Sequence, residues 1–132
     1  MNNNFIWGDY ISDEAVDLVV KFYNTQKFLP YFDGEVEQFG SHVVDTSVKE
    51  SKDLPVTVNI MDKYLKPYQN ELQRILDLYL EKFEYASVGK FRIKEDLSIQ
   101  KYPIGGGFKT WHTERNSAVH PFVCRHLVFM TY

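Results

Sequence analysis

The sequence predicts an α+β fold in which helices come first and strands last. Apolar residues recur at three- and four-residue intervals over residues 13–26 and again from Met61 to Phe83, the period of a helix with one packed face. From Phe91 onward, short runs rich in β-branched and aromatic residues read as strands, separated by an acidic pair and a glycine-rich stretch. That order fits a sheet or barrel with helices packed on one side.

Composition narrows the class. At 132 residues the chain amounts to one domain, and 44% hydrophobic with 16% aromatic residues suffices for a core. A net charge of −3, with acidic and basic residues interspersed, excludes the basic face of a nucleic-acid binder. No apolar run approaches the roughly 20 residues that cross a bilayer. The opening MNNNFIWGDY lacks the basic and then apolar regions of a signal peptide. A single cysteine, Cys124, rules out an internal disulfide, fits a reducing cytoplasm and reads as a small core residue.

Residues 1–4 form a polar tail, and Phe5 to Tyr10 is either an edge strand or a packing arm. Ser12 reads as a helix N-cap, with Asp13 and Glu14 in the first turn where the helix dipole favours them. Val16, Val19, Val20 and Tyr23 then mark the packed stripe of a helix over 13–26, which Pro30 keeps from continuing. Asp33-Gly34 signals a turn, Val36 to Gln38 a short strand, and SHVVDTSV another. Lys49 to Asp53, KESKD, reads as a solvated charge run without function. In the longest periodic stretch Asp62 is the expected N-cap and Pro67 kinks or restarts the helix. Its aromatic stripe, from Tyr64 to Phe83, is a core-facing side. Phe91 to Lys94 and Leu97 to Tyr102 are consecutive strands around Glu95-Asp96. The chain ends inside a further apolar strand, VCRHLVFMTY, which predicts that a larger domain has been cut short.

The chemistry concentrates in SIQKYPIGGGFKTWHTE, residues 98–114: a strand, a glycine-rich turn and a second strand ending in His112-Thr113-Glu114. Residues two apart on a strand face one side. His112 and Glu114 would then converge as an imidazole and a carboxylate, two of the three ligands of a facial iron triad. On spacing alone, an exposed strand end with a local hydrogen bond is the better account of the pair. Gly105 to Gly107 lack the following Lys-Ser/Thr of a phosphate loop. Cys124 and His126 flank one residue without an orienting third group, so they make no nucleophile-base pair. His42, His120 and His126 read as surface or packing residues.

YPIGGGFKTWHTE followed by RHLVFMTY resembles the 2-oxoglutarate- and Fe(II)-dependent oxygenases of the prolyl 4-hydroxylase type, including their phage and bacterial relatives. Tyr102 stands ten residues before His112, the glycines form the turn, and Arg125 to Tyr132 match a later strand of that family. The upstream helices and KESKDLPV are similar to its N-terminal part. The resemblance implies an incomplete double-stranded β-helix (jelly-roll or cupin-like) with supporting helices. Residues 1–90 would be the support and 91–132 the first strands of one truncated domain.

It also implies His112 and Glu114 as metal ligands, Tyr102 and Tyr132 as co-substrate-binding residues, and Arg125 as a substrate contact. On the implied strand His126, Val128, Met130 and Tyr132 would face the barrel interior. The implied cofactors are Fe(II), with 2-oxoglutarate as co-substrate and ascorbate as a further candidate. The substrate would be a peptide, protein or small molecule hydroxylated at a C–H bond, peptidyl proline among them. No membrane or nucleic-acid partner is implied. Two departures stand out: Glu114 where the family usually carries Asp, and no distal His or Arg. A β-helix of eight strands needs on the order of 70 residues, against the 31 from Tyr102 to Tyr132. The chain alone is therefore expected to be inactive. The alternative is a non-catalytic remnant or interaction module that pairs through an open sheet edge.

Overall fold

The computed structural model describes residues 5–87, 89, 95–114, 118–120 and 122–132. It is α+β, with three helices and small open antiparallel sheets. It forms two compact units, Met1–Phe28 with Val56–Arg92, and Leu29–Pro55 with Ile93–Tyr132. No described helix is long and apolar enough to cross a membrane.

The first unit holds the helices. α1 spans Asp13–Thr25, and Ser12 caps it as expected, its hydroxyl accepting from the Ala15 N–H. The buried face is one residue off the valine stripe. Ala15, Phe22 and Tyr23 are buried while Val16 and Val20 are exposed, because the two large rings win the inner positions. Phe22, Phe28 and Tyr64 form an aromatic cluster with ring centroids 5.3–6.1 Å apart.

The long periodic stretch is two helices, α2 (Val58–Tyr64) and α3 (Lys66–Lys82). Leu65 between them leaves the helical region at φ −124°, ψ 30°, and Pro67 sits in the first turn of α3, where its missing N–H costs nothing. Thr57, not Asp62, is the N-cap: its hydroxyl accepts from the Ile60 N–H, and α2 has begun four residues before Asp62. Asp62 instead pairs with Lys66 one turn on. α3 packs against α1 with its stripe half-buried. Phe5 to Tyr10 is a packing arm and not a strand. The Phe5 ring lies 5.4 Å from Phe83, Tyr79 donates to the Phe5 carbonyl, and Arg74 holds Asp9 and the Tyr10 carbonyl.

The second unit is built from short strands. β1 (Phe32–Asp33), β5 (Lys52–Val56) and β6 (Leu97–Lys101) form one sheet in that order, with Phe32 opposite Asp53. Asp33-Gly34 is no turn: the Gly34 N–H donates to the Ser51 carbonyl and prolongs the β1–β5 ladder. β2 (Val36–Gln38) and β3 (Ser41–Val43) form a hairpin whose tip, Phe39-Gly40, has positive φ at both residues. β4 (Lys49–Glu50) pairs with β7 (Gly107–Phe108), and the Lys109 N–H to the Val48 carbonyl extends the pairing. The expected strand over Phe91–Lys94 lies outside the described residues.

KESKD is not a solvated run. Lys49 and Ser51 are 6% and 7% exposed, and the segment supplies β4 and the start of β5. Its alternation explains this: Lys49, Ser51 and Asp53 share the inner face of an extended chain, while Lys52 projects outward to Asp33. Residues 125–132 form no strand among the described residues; a 3₁₀ turn at Phe122–Cys124 precedes a segment without regular secondary structure. β-branched and aromatic composition suits a strand, but a strand forms only against a hydrogen-bonding neighbour. Burial alternates only from Val123 to Val128, in the opposite phase to expectation, and every residue from Val128 on is exposed. Val123, Arg125 and Leu127 are the half-buried set, and His126, Val128, Met130 and Tyr132 are exposed. Cys124 is likewise exposed, and not a core residue.

Candidate functional site

The glycine turn and the β4–β7 pairing place the site. The Gly106 N–H donates to the Pro103 carbonyl, closing a tight turn in which Gly105 takes φ +79°. A Cβ on Gly106 would lie 2.9 Å from the Glu50 carbonyl and 2.6 Å from Pro103, so the backbone passes where only glycine fits. The chain then pairs with β4 for two residues and leaves the ladder. His112 and Glu114 therefore lie on an irregular segment and not at a strand end.

They nonetheless converge. His112 Nε2 stands 3.3 Å from Glu114 Oε1. The imidazole stacks on Phe108, centroids 3.9 Å apart and planes 18° from parallel. Its Nδ1 lies 3.3 Å from the Thr110 carbonyl, an acceptor, so that contact needs the proton on Nδ1. In the neutral ring Nε2 then turns a lone pair toward an anionic oxygen. In the other neutral tautomer Nε2 donates its proton to Glu114 Oε1 as a local hydrogen bond; with the proton on Nδ1, a cation held between the two atoms would stabilise them. Two donors about 2.0–2.2 Å from one ion and about 90–100° apart lie roughly 3.0–3.3 Å from each other. The observed separation matches that edge. Chemically, a nitrogen and a hard oxygen suit Fe(II). Among the described residues, no third His, Cys, Asp or Glu joins them.

Arg125 sits against this pair. Its Nη1 donates to the Glu114 carbonyl at 2.5 Å and to Oε2 at 3.1 Å. Nε donates to Glu95 Oε1 at 2.8 Å, and Nη2 to Glu95 Oε2. The hydrogen bonds from Arg125 hold the Glu95 carboxyl below its ordinary value against a smaller opposing effect of burial.

The other two sequence-predicted residues hydrogen-bond to neighbours of their own. The Tyr102 hydroxyl donates to Gln100 Oε1 at 2.7 Å. Burial pushes its phenol above the ordinary value, with the Asp53 charge and the Tyr132 phenol adding to the effect. Tyr132 is fully exposed and its hydroxyl reaches Met130 Sδ at 3.0 Å.

The Tyr102 group borders a polar cluster missed in the sequence. Lys49 Nζ donates to Asp53 Oδ2 at 2.6 Å, Ser51 Oγ to Asp53 Oδ1 at 2.6 Å, and Gln100 Nε2 to Oδ2 at 3.3 Å. Lys49 Nζ also lies 6.0 Å from the centroid of Phe108, the ring on which His112 stacks. Lys49 and Asp53 line an open cleft of about 390 Å³ with Phe32, Asp33, Glu35 and Ser98. The signal that finds this cluster is the two-residue alternation of Lys49, Ser51 and Asp53.

No family model, characterised protein or solved structure matches this chain.

Proposed function

We propose that the chain belongs to the 2-oxoglutarate- and Fe(II)-dependent oxygenases of the prolyl 4-hydroxylase type, with a jelly-roll core, and serves the hydroxylation of a C–H bond. The observation that carries this reading is the 3.3 Å edge between His112 Nε2 and Glu114 Oε1, two donors of the kind such an iron takes. The metal, when bound, supplies oxygen activation; the protein supplies ligands, orientation and exclusion of water. With the Nδ1 proton given to the Thr110 carbonyl and the ring stacked on Phe108, Nε2 would be the nitrogen that holds the metal. Tyr102 and Tyr132 are the hydroxyls offered to the co-substrate carboxylate. A third metal donor and a cation for that carboxylate must come from outside the described residues.

Anaerobic titration of Fe(II) in the presence of 2-oxoglutarate tests this. The expected outcome is no visible charge-transfer band for residues 1–132 at near-stoichiometric iron. A band should appear in a chain extended to supply a further His and a cationic side chain, and His112→Ala should abolish it. A band that survives His112→Ala in that chain overturns the ligand role.

A second reading, a non-catalytic interaction module, is favoured by exposed apolar side chains along the end of the chain: Val128, Phe129, Met130 and Tyr132. It predicts that the extended chain also shows no band.

A further inference from the structure

We infer that Arg125 is a positioning residue for Glu114, held in place by Glu95, and that the three side chains form a clamp presenting one chosen carboxylate oxygen to His112. The inference rests on the half-site reading above and assigns Arg125 a role other than contacting substrate.

A free glutamate is a poor directional donor. It has three side-chain torsions, two equivalent oxygens and about four lone-pair sites, and holding it in one geometry costs rotamer entropy. Arg125 removes that freedom at two points. Its Nη1 takes both the main-chain carbonyl of Glu114 and Oε2 of its side chain, fixing the carboxylate relative to its own backbone. With Oε2 engaged, Oε1 is the oxygen that faces His112 Nε2. The clamp thus selects one-oxygen ligation.

Glu95 supplies the other half. Nε and Nη2 of Arg125 meet its two oxygens as a parallel fork, the geometry a guanidinium holds best. Charge explains why the fork is needed. An unpaired guanidinium beside Glu114 would repel an arriving dication, whereas a guanidinium already neutralised by Glu95 orients the carboxylate without that repulsion. Glu95 and Arg125 are both about three-quarters withdrawn from water, so the cancellation is local and weakly screened.

The experiment measures the affinity of the full chain for Co(II) alone, by calorimetry, in wild type, R125Q, R125K, E95Q, R125Q/E95Q and H112A. The guanidinium ¹H–¹⁵N signals of Arg125 are followed alongside, with amide dispersion checking the fold. Loss of an outer partner to a metal ligand costs about 10–100-fold in affinity. R125Q should fall in that range. R125K, which keeps the charge but not the fork, should recover part of it. E95Q should weaken binding several-fold by unmasking the Arg125 charge, and the double variant should be no worse than R125Q. If H112A loses Co(II) while folded R125Q binds as wild type, the clamp is overturned and the half-site stands. If H112A binds Co(II) unchanged, the half-site reading fails. The Arg125 signals then decide the clamp: a shift in E114Q supports it, and unchanged signals refute it.

Discussion

Lys49 Nζ donates to Asp53 Oδ2 across 2.6 Å, with the two side chains only 7% and 15% exposed. Buried pairs of this kind are costly to break from one side, because the remaining charge keeps its desolvation penalty. Asp53→Ala should therefore destabilise the chain by about 3–5 kcal/mol in urea unfolding. Replacing both partners with apolar residues of similar size, Lys49→Met with Asp53→Leu, should cost far less than that single change. Equal losses would show that the pair is not desolvated.

The β2–β3 hairpin turns through Phe39 at φ +52° and Gly40 at φ +79°. A left-handed conformation costs a non-glycine residue roughly 1–2 kcal/mol, least for Asn, and this turn type favours Asn-Gly. Phe39 is fully exposed and gives up no packing in exchange. Phe39→Asn should raise the unfolding midpoint, by about 1 kcal/mol in stability. An unchanged or lower midpoint would mean the ring has a partner in solution.

Thr57 and Asp62 give opposite expectations on one helix. Thr57→Ala removes the cap on Ile60 and should cost about 1 kcal/mol. Asp62→Ala removes exposed contacts with Gln69 and Lys66 and should change stability far less. Thermal or urea unfolding of the two variants separates them.

The Glu95 carboxyl titrates below its ordinary value of 4.5, first because of its hydrogen bond from Arg125. A carboxylate depressed in the folded state contributes stability above its unfolded value, and that contribution disappears as pH falls through the folded value. Wild type should therefore exceed Glu95→Gln in stability at about pH 6, and the gap should close toward about pH 3. A gap independent of pH would place the effect in packing rather than charge.

Helix positions were legible because local signals decide them: Ser12 caps α1, and Pro67 marks where α3 restarts. Thr57 was not legible as the cap because periodicity alone does not separate a cap from an acid further along the helix. The strands were less legible, since pairing depends on distant partners. The valine- and phenylalanine-rich end of the chain has strand composition but no ladder among the described residues. Lys49 and Glu50 of the charge run pair with Gly107–Phe108, far along the sequence. Of the site, the convergence of His112 and Glu114 was legible from their spacing, although they do not sit on the strand that suggested it. Glu95, Thr110 and Phe108 were not, because each acts by touching another side chain across a fold that local sequence does not encode.

The adjacent glycines of the turn are required for unlike reasons, and mirror-image chemistry would tell them apart. Gly105 needs handedness: at φ +79° an L-alanine is strained even though its methyl would meet open space, whereas a D-alanine takes that φ without strain. Gly106 needs emptiness: its φ is ordinary, yet an L-methyl group there would press on the Glu50 carbonyl and Pro103. Such a group would wedge β7 away from β4. Since Phe108 rides on β7 and His112 on Phe108, one carbon atom at residue 106 would be read out as a displaced imidazole six residues later.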